Sequence, residues 1–347
     1  MKPRSLIRRL AGPLAIGLTA AVLLAGCGGD ATGNEDAVGD DGKVDLSQVT
    51  LIVGDQKGGS QALLQAAGLL DDAPYKIEWK EFTSGPPLLE AMSSGSIHVG
   101  GVGNTPPLFA AAAGGEFKVV QAATYGGAGD AIVVPKDSPL KSVADLEGKD
   151  VAVAEGSSAN YNLLAQLQEA GLSYGDVTVK NLQPADALAA FSGGHVDAWA
   201  IWEPFTSQAE IDADARVLAD GSKLANGYTF QVASDAALDD PATAAALEDY
   251  LARIAQAQLW SQTHKQEWAK AWSEETGLAE DITLSAVDNR QVQVVPIDDT
   301  VVESEQQMAD AFTENELIPD EVDVSSYFSD EFNEDTTGKA VSQGADR

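Results

Sequence analysis

Short apolar runs recur along the chain, and most are followed by a segment with helical spacing. Residues 49–54 (VTLIVG) precede 60–70 (SQALLQAAGLL), and 75–82 (YKIEWKEF), which alternate in the strand manner, precede 86–95 (PPLLEAMSSG). The run 97–103 (IHVGGVG) leads into an alanine-rich stretch, and 117–124 (FKVVQAAT) and 129–135 (GDAIVVP) read as two further strands. The alternation resumes with 150–156 (DVAVAEG), 158–171 (SANYNLLAQLQEAG), 176–182 (DVTVKNL), 184–194 (PADALAAFSGG), 195–202 (HVDAWAIW) and 204–211 (PFTSQAEI). Strands separated by helices of ten or so residues predict βαβ units, hence an α/β class with a parallel sheet. After the run 228–234 (YTFQVAS) the character changes to helix. Asp240 stands as an N-cap and Pro241 at the first helical position of a long segment. No fixed period repeats, which excludes a solenoid.

The junctions between strands and helices carry the candidate chemistry. In GGVGNTPPLFAAAAGG (100–115), Thr105 and the two prolines behind it begin a helix within a residue or two of a strand end, and Gly114 stops it. Comparable starts follow Gln56, Ser84-Gly85, Ser157-Ser158 and the Trp202-Glu203-Pro204 segment. In an open α/β sheet the carboxyl ends of the strands hold ligands, and a helix start favours anionic oxygens. Glycine, serine and proline also occupy such turns for geometry alone. What geometry does not require is an aromatic, Trp202, at one of these tips. Glu203 reads equally as an acceptor for an amino-bearing ligand and as a cap for the helix beginning at Pro204.

Charge sharpens the question. The chain carries a net −33, which argues against nucleic acid and against electrostatic attraction to anionic lipid. An anion can still be held if several neutral N–H and O–H donors converge locally, because each helix end contributes only about 0.3–1 kcal/mol.

The N-terminus reads as an export signal. Lys2, Arg4, Arg8 and Arg9 precede an apolar run ending in Leu24-Ala25-Gly26-Cys27, so residues 1–26 are expected to be a leader. That tetrapeptide is like a bacterial lipobox, which makes Cys27, the sole cysteine, the lipidated mature N-terminus. Residues 28–43 hold five glycines and five acids with little apolar surface, so 27–47 are expected to form a flexible tether, and 329–347 a disordered tail. The general secretory and twin-arginine routes both remain open.

The segments GNTPPLFAAAAG, VPKDSPLKSVADLEGKDVAVAEGSSANYNLLAQLQEAGL and GGHVDAWAIWEPF resemble the aliphatic sulfonate-binding lipoproteins of bacterial ABC importers, whose relatives serve taurine, nitrate and thiamine precursors. The similarity runs from about Thr50 to Phe328. It implies a type II periplasmic-binding fold: two α/β lobes, 48–132 plus 232–328 and 133–231, joined by strands crossing at 130–135 and 228–233. It also implies ligand contacts from Gln56, Ser84, Gly85, Asn104, Thr105, Ser157 and Ser158, with Trp202 as an apolar wall and Glu203 beside it. The implied partners are a small sulfonate, a membrane permease and its ATPase. The protein is expected to be a monomer, exported and held by lipid at the outer face of the membrane or in the periplasm, and to need no cofactor. Asn104, Asn160 and His98 depart from the family's pattern, where Asp, His and Asp are common.

Two other classes stand beside this reading. An enzyme on the same fold is disfavoured because no nucleophile has an adjacent base and no phosphate loop is present. A surface adhesin with a degenerate pocket is the other. His98, His195 and His264 lack metal-ligand spacing, and Trp260, Trp268 and Trp272 sit at helical spacings expected of packing.

Overall fold

The computed structural model describes residues 33–338, and the leader, Cys27 and the residues from 339 onward lie outside them. The first lobe opens with β1 (Thr50–Gln56), α1 (Ser60–Ala66), β2 (Lys76–Phe82), α2 (Gly85–Ser93), β3 (Val99–Gly103), α3 (Thr105–Ala112) and β4 (Phe117–Thr124). The second holds β5 (Asp130–Pro135), β6 (Asp150–Val153), α4 (Ser158–Glu169), β7 (Thr178–Asn181), α5 (Pro184–Ser192), β8 (Ala198–Trp202), α6 (Phe205–Asp212) and β9 (Ala215–Asp220). The chain then returns to the first lobe with β10 (Tyr228–Ser234). It continues through α7 (Asp235–Asp239), α8 (Pro241–Thr263), α9 (Lys265–Thr276), α10 (Glu280–Asn289), β11 (Gln293–Val295), α11 (Asp299–Glu314) and α12 (Asn333–Thr337).

Each lobe is built on one sheet, in the orders β11-β4-β10-β3-β1-β2 and β7-β6-β8-β5-β9. The βαβ units behave as the pattern predicts: β1 is parallel to β2 and β3, and β6 to β7 and β8. The two sheets are mixed. β10 runs antiparallel between β3 and β4, and β5 antiparallel between β8 and β9, because each enters its sheet from the other lobe.

For the same reason, neither β5 nor β10 is itself a crossing. The links are the loops 125–129 and 221–227, and they lie against each other. Tyr125 N donates to Gly227 O at 2.9 Å. Gly127 has φ +76°, and a side chain there would stand 2.6 Å from the carbonyl oxygens of both Ala225 and Gly221. Only glycine fits so close an approach at positive φ.

Helices cover both faces of each sheet. In the first lobe Leu88, Leu108, Met308 and Phe312 fill one face, and Leu64, Leu247, Tyr250 and Ile254 the other. In the second, Leu163 and Leu167 pack on one face, and Phe191, Trp199 and Ile201 on the other. The tryptophans of the C-terminal helices pack as expected, with Trp268 stacked on Trp272 at 5.2 Å and Trp260 on His264 at 4.7 Å.

The ordered body reaches beyond both composition-based boundaries. Asn34 is buried: its Nδ2 donates to Thr50 O and Thr243 Oγ1, and its Oδ1 accepts from Thr50 N. Ala37 and Phe332 both enter the core beneath α8. Asn333 clasps the backbone of Ile297 from both sides, at 2.9 Å each way. Within the described residues, therefore, 34–48 and 329–338 are packed segments. A few amide clasps on sheet and loop backbone hold them, which acidic, glycine-rich composition does not reveal.

Candidate functional site: the edge where the lobes meet

The carboxyl ends of both sheets face one another. Ser84, capping α2, is fully buried and its Oγ donates to Gln183 Oε1 at 2.8 Å, and Thr83 reaches the same oxygen at 3.0 Å. Gln183 caps α5 of the other lobe. A side chain on Gly103, at the end of β3, would stand 3.3 Å from Ser158 Cβ. One on Gly156, before α4, would stand 3.2 Å from Phe109 and 3.4 Å from Pro86. Gly85 is held as closely within its own lobe, against Pro106 at 2.4 Å. The junctions at Ser84-Gly85, Gly103-Thr105 and Gly156-Ser158 thus meet along one boundary between the lobes.

Their polar atoms are less free than the sequence suggested. Prolines occupy the second and third positions of α2 and α3, so the helix starts that announced themselves by Pro-Pro have lost two of their four free N–H groups. The hydroxyl hydrogens are engaged as well. Ser157 Oγ donates to Ala154 O at 2.6 Å and caps Asn160 N; Ser158 Oγ donates to Asp130 Oδ1 at 2.7 Å. Thr105 Oγ1 donates to Asn104 Oδ1 at 3.0 Å.

That last bond has a fixed direction. Tyr228 N can only donate, so the Asn226 oxygen must face it, at 3.1 Å. Asn104 then has to offer its Nδ2 to that oxygen, at 2.7 Å, which turns its own Oδ1 to Thr105. Asn226 lies in the second interlobe linker, and its amide hydrogens go to Ser304 Oγ and Glu305 Oε1. Glu305 is fully buried with its other oxygen unpartnered, and burial pushes its carboxyl up to about 8.

Gln56 ends β1 with its Nε2 on Gly101 O at 3.2 Å, within the first lobe. Asp55 beside it accepts from the backbone N–H groups of Gln56, Ser60 and Gln61, capping the loop into α1, and burial still pushes it up to about 6. Trp202 lies beside Asp130 in the β5–β8 register and meets Phe205 edge-on at 6.2 Å. Glu203 resolves toward the cap. It is buried, its carboxylate accepts from Ser207 N and Oγ, and Oε1 also accepts from Asn289 Nδ2 of α10 at 2.8 Å. Asn160 has an internal role, accepting from Gly156 N and donating to the Tyr174 hydroxyl. His98 accepts from Ile52 N inside the first sheet.

Three residues here escaped the sequence reading: Tyr125, Asp130 and Arg290. Asp130 is fully buried and accepts from Ser158 Oγ and from the Tyr125 hydroxyl, each at 2.7 Å. Burial pushes its carboxyl up, while those two donors and the charge of Arg290 pull it back. The Arg290 guanidinium lies 4.6 Å over the Tyr125 ring, with its Nε buried and unpartnered. A lone arginine after the acidic helix α10 was the available signal, because a cation there stands out in so acidic a chain.

A model of the NMT1-like family matches residues 51–273. The chain belongs to this family. A protein of Escherichia coli (strain K12) named for binding aliphatic sulfonates is 36% identical over 282 residues, covering 80% of this chain and 88% of that one. The likeness extends to solved structures. The periplasmic aliphatic sulphonate binding protein of Escherichia coli superposes with a TM-score of 0.72 at 36% identity, covering 80% of this chain and 91% of that one. The alkanesulfonate-binding protein of Xanthomonas axonopodis pv. citri, solved bound to MOPS, gives 0.73 at 35% identity and covers 81% and 98%. The family resemblance and two-lobed α/β fold expected from the sequence therefore hold. Among the described residues no helix is long and apolar enough to cross a membrane.

Proposed function

We propose that this chain is the solute-binding component of an ABC importer and captures a small alkanesulfonate between its lobes. The observation that carries this reading is the convergence of the two sheet edges. Ser84 meets Gln183, and Gly103 meets Ser158, across a boundary that two short linkers span among the described residues. Such a body can close over a solute, and the relatives reported above are named for binding sulfonates. Thr105, Ser157 and Ser158 supply polar contacts once their hydroxyls turn to a ligand, and Trp202 supplies apolar surface.

The same reading has the chain exported, anchored through lipid on Cys27, acting as a monomer and delivering solute to a permease driven by an ATPase. In this reading it binds without turnover, and the buried carboxylates Asp130 and Glu203 serve as structural acceptors, each held by two or more donors. Thermal unfolding of the exported chain with pentanesulfonate tests the reading. A ligand at a hundredfold of its Kd adds about 2.7 kcal/mol of stability. No shift in midpoint with alkanesulfonates of two to eight carbons would refute it.

A further inference from the structure

We propose that Arg290 is the charged anchor for the anionic head of the solute, a role that rests on the reading above and adds the residue that sets its charge selectivity. A protein of net charge −33 repels an anion at long range, so local donors have to overcome a general disadvantage. The neutral donors at the crevice are fewer than the junctions advertise. Two N–H positions in each of α2 and α3 are prolines, and the hydroxyls of Ser84, Thr105, Ser157 and Ser158 donate to protein acceptors.

Arg290 makes up this deficit from the linker side. Its guanidinium is spread over the Tyr125 ring at 4.6 Å, and Tyr125 is fixed in turn by its hydroxyl bond to Asp130 at 2.7 Å. Asp130 also receives Ser158, so one buried carboxylate places both the platform of the arginine and a hydroxyl of the second lobe. Next to it in sequence, Asn289 reaches Glu203 of the second lobe, so the end of α10 is tied across the boundary. Among the described residues Arg290 makes no ion pair within 4 Å, and its Nε has no partner despite being buried. A buried guanidinium nitrogen without an acceptor is a costly arrangement, and the planar fork matches the oxygens of a sulfonate.

The test compares pentanesulfonate with methyl pentyl sulfone, which keeps two of the three sulfur oxygens but not the charge, by calorimetry on wild type, Arg290→Gln and Arg290→Lys. Charge-assisted hydrogen bonds imply that R290Q binds pentanesulfonate about 10- to 100-fold more weakly, with little change for the sulfone. R290K recovers part of the loss. Each variant's thermal midpoint is measured alongside, because Arg290 also attracts Asp130. Equal pentanesulfonate affinity in wild type and R290Q, or equal losses for both ligands, would overturn the assignment while leaving the receptor role intact. Wild type that binds neither ligand would overturn both.

Discussion

Asn104 stands where the resemblance implies an acid, and its surroundings explain why an amide works there. The Tyr228 N–H fixes Asn226, Asn226 fixes Asn104, and Asn104 takes the hydrogen of Thr105. An Asp at 104 would accept from Thr105 equally well but could not donate to Asn226. Thr105→Val keeps the shape and removes the hydroxyl. It is expected to weaken pentanesulfonate binding about 2- to 10-fold by calorimetry, the worth of one neutral hydrogen bond. Glu305, at the far end of that chain, sets a pH dependence. Its folded-state pKa, about 8, lies above the ordinary 4.5, so its contribution to stability is full below pH 4.5 and is lost as pH rises through about 8. Glu305→Gln should flatten the fall in urea-unfolding free energy across that window and exceed wild type above it. A wild-type curve that does not fall there, or a variant that falls identically, would contradict the assignment.

At the scale of elements, strand-to-helix junctions were readable because each is written in adjacent residues. Thr105-Pro106-Pro107, Ser157-Ser158 and Pro241 all begin helices where the pattern places them. The crossings were not, since a loop between two strands is defined by which sheet each strand joins, and that pairing is nonlocal. β9, with its half-buried Arg216, and the three-residue β11 are too short or too mixed to signal themselves. Roles at the site were legible only in part for the same reason. The sequence shows that Ser158 follows a strand; it does not show that Asp130, 28 residues away, takes its hydrogen. The linkers carry a prediction of their own. Gly127→Ala combines positive φ with two carbonyls at 2.6 Å and should cost about 2–4 kcal/mol in urea unfolding. A change within 0.5 kcal/mol would show that the two loops do not pack as described.

Across the whole molecule the strong negative charge and the capture of an anion are reconciled by distance. Repulsion acts over about a Debye length, whereas the crevice groups act in contact. Raising ionic strength from about 10 to about 150 mM should therefore increase the association rate of pentanesulfonate in stopped-flow measurements, by screening the field the solute crosses. A rate that falls with salt would mean the approach is steered by a positive patch instead. The most direct measurement is a calorimetric titration of the exported chain with pentanesulfonate. Saturable heat at one solute per chain is the expected result; no heat at any alkanesulfonate chain length, from a protein that unfolds cooperatively, would contradict capture between the lobes.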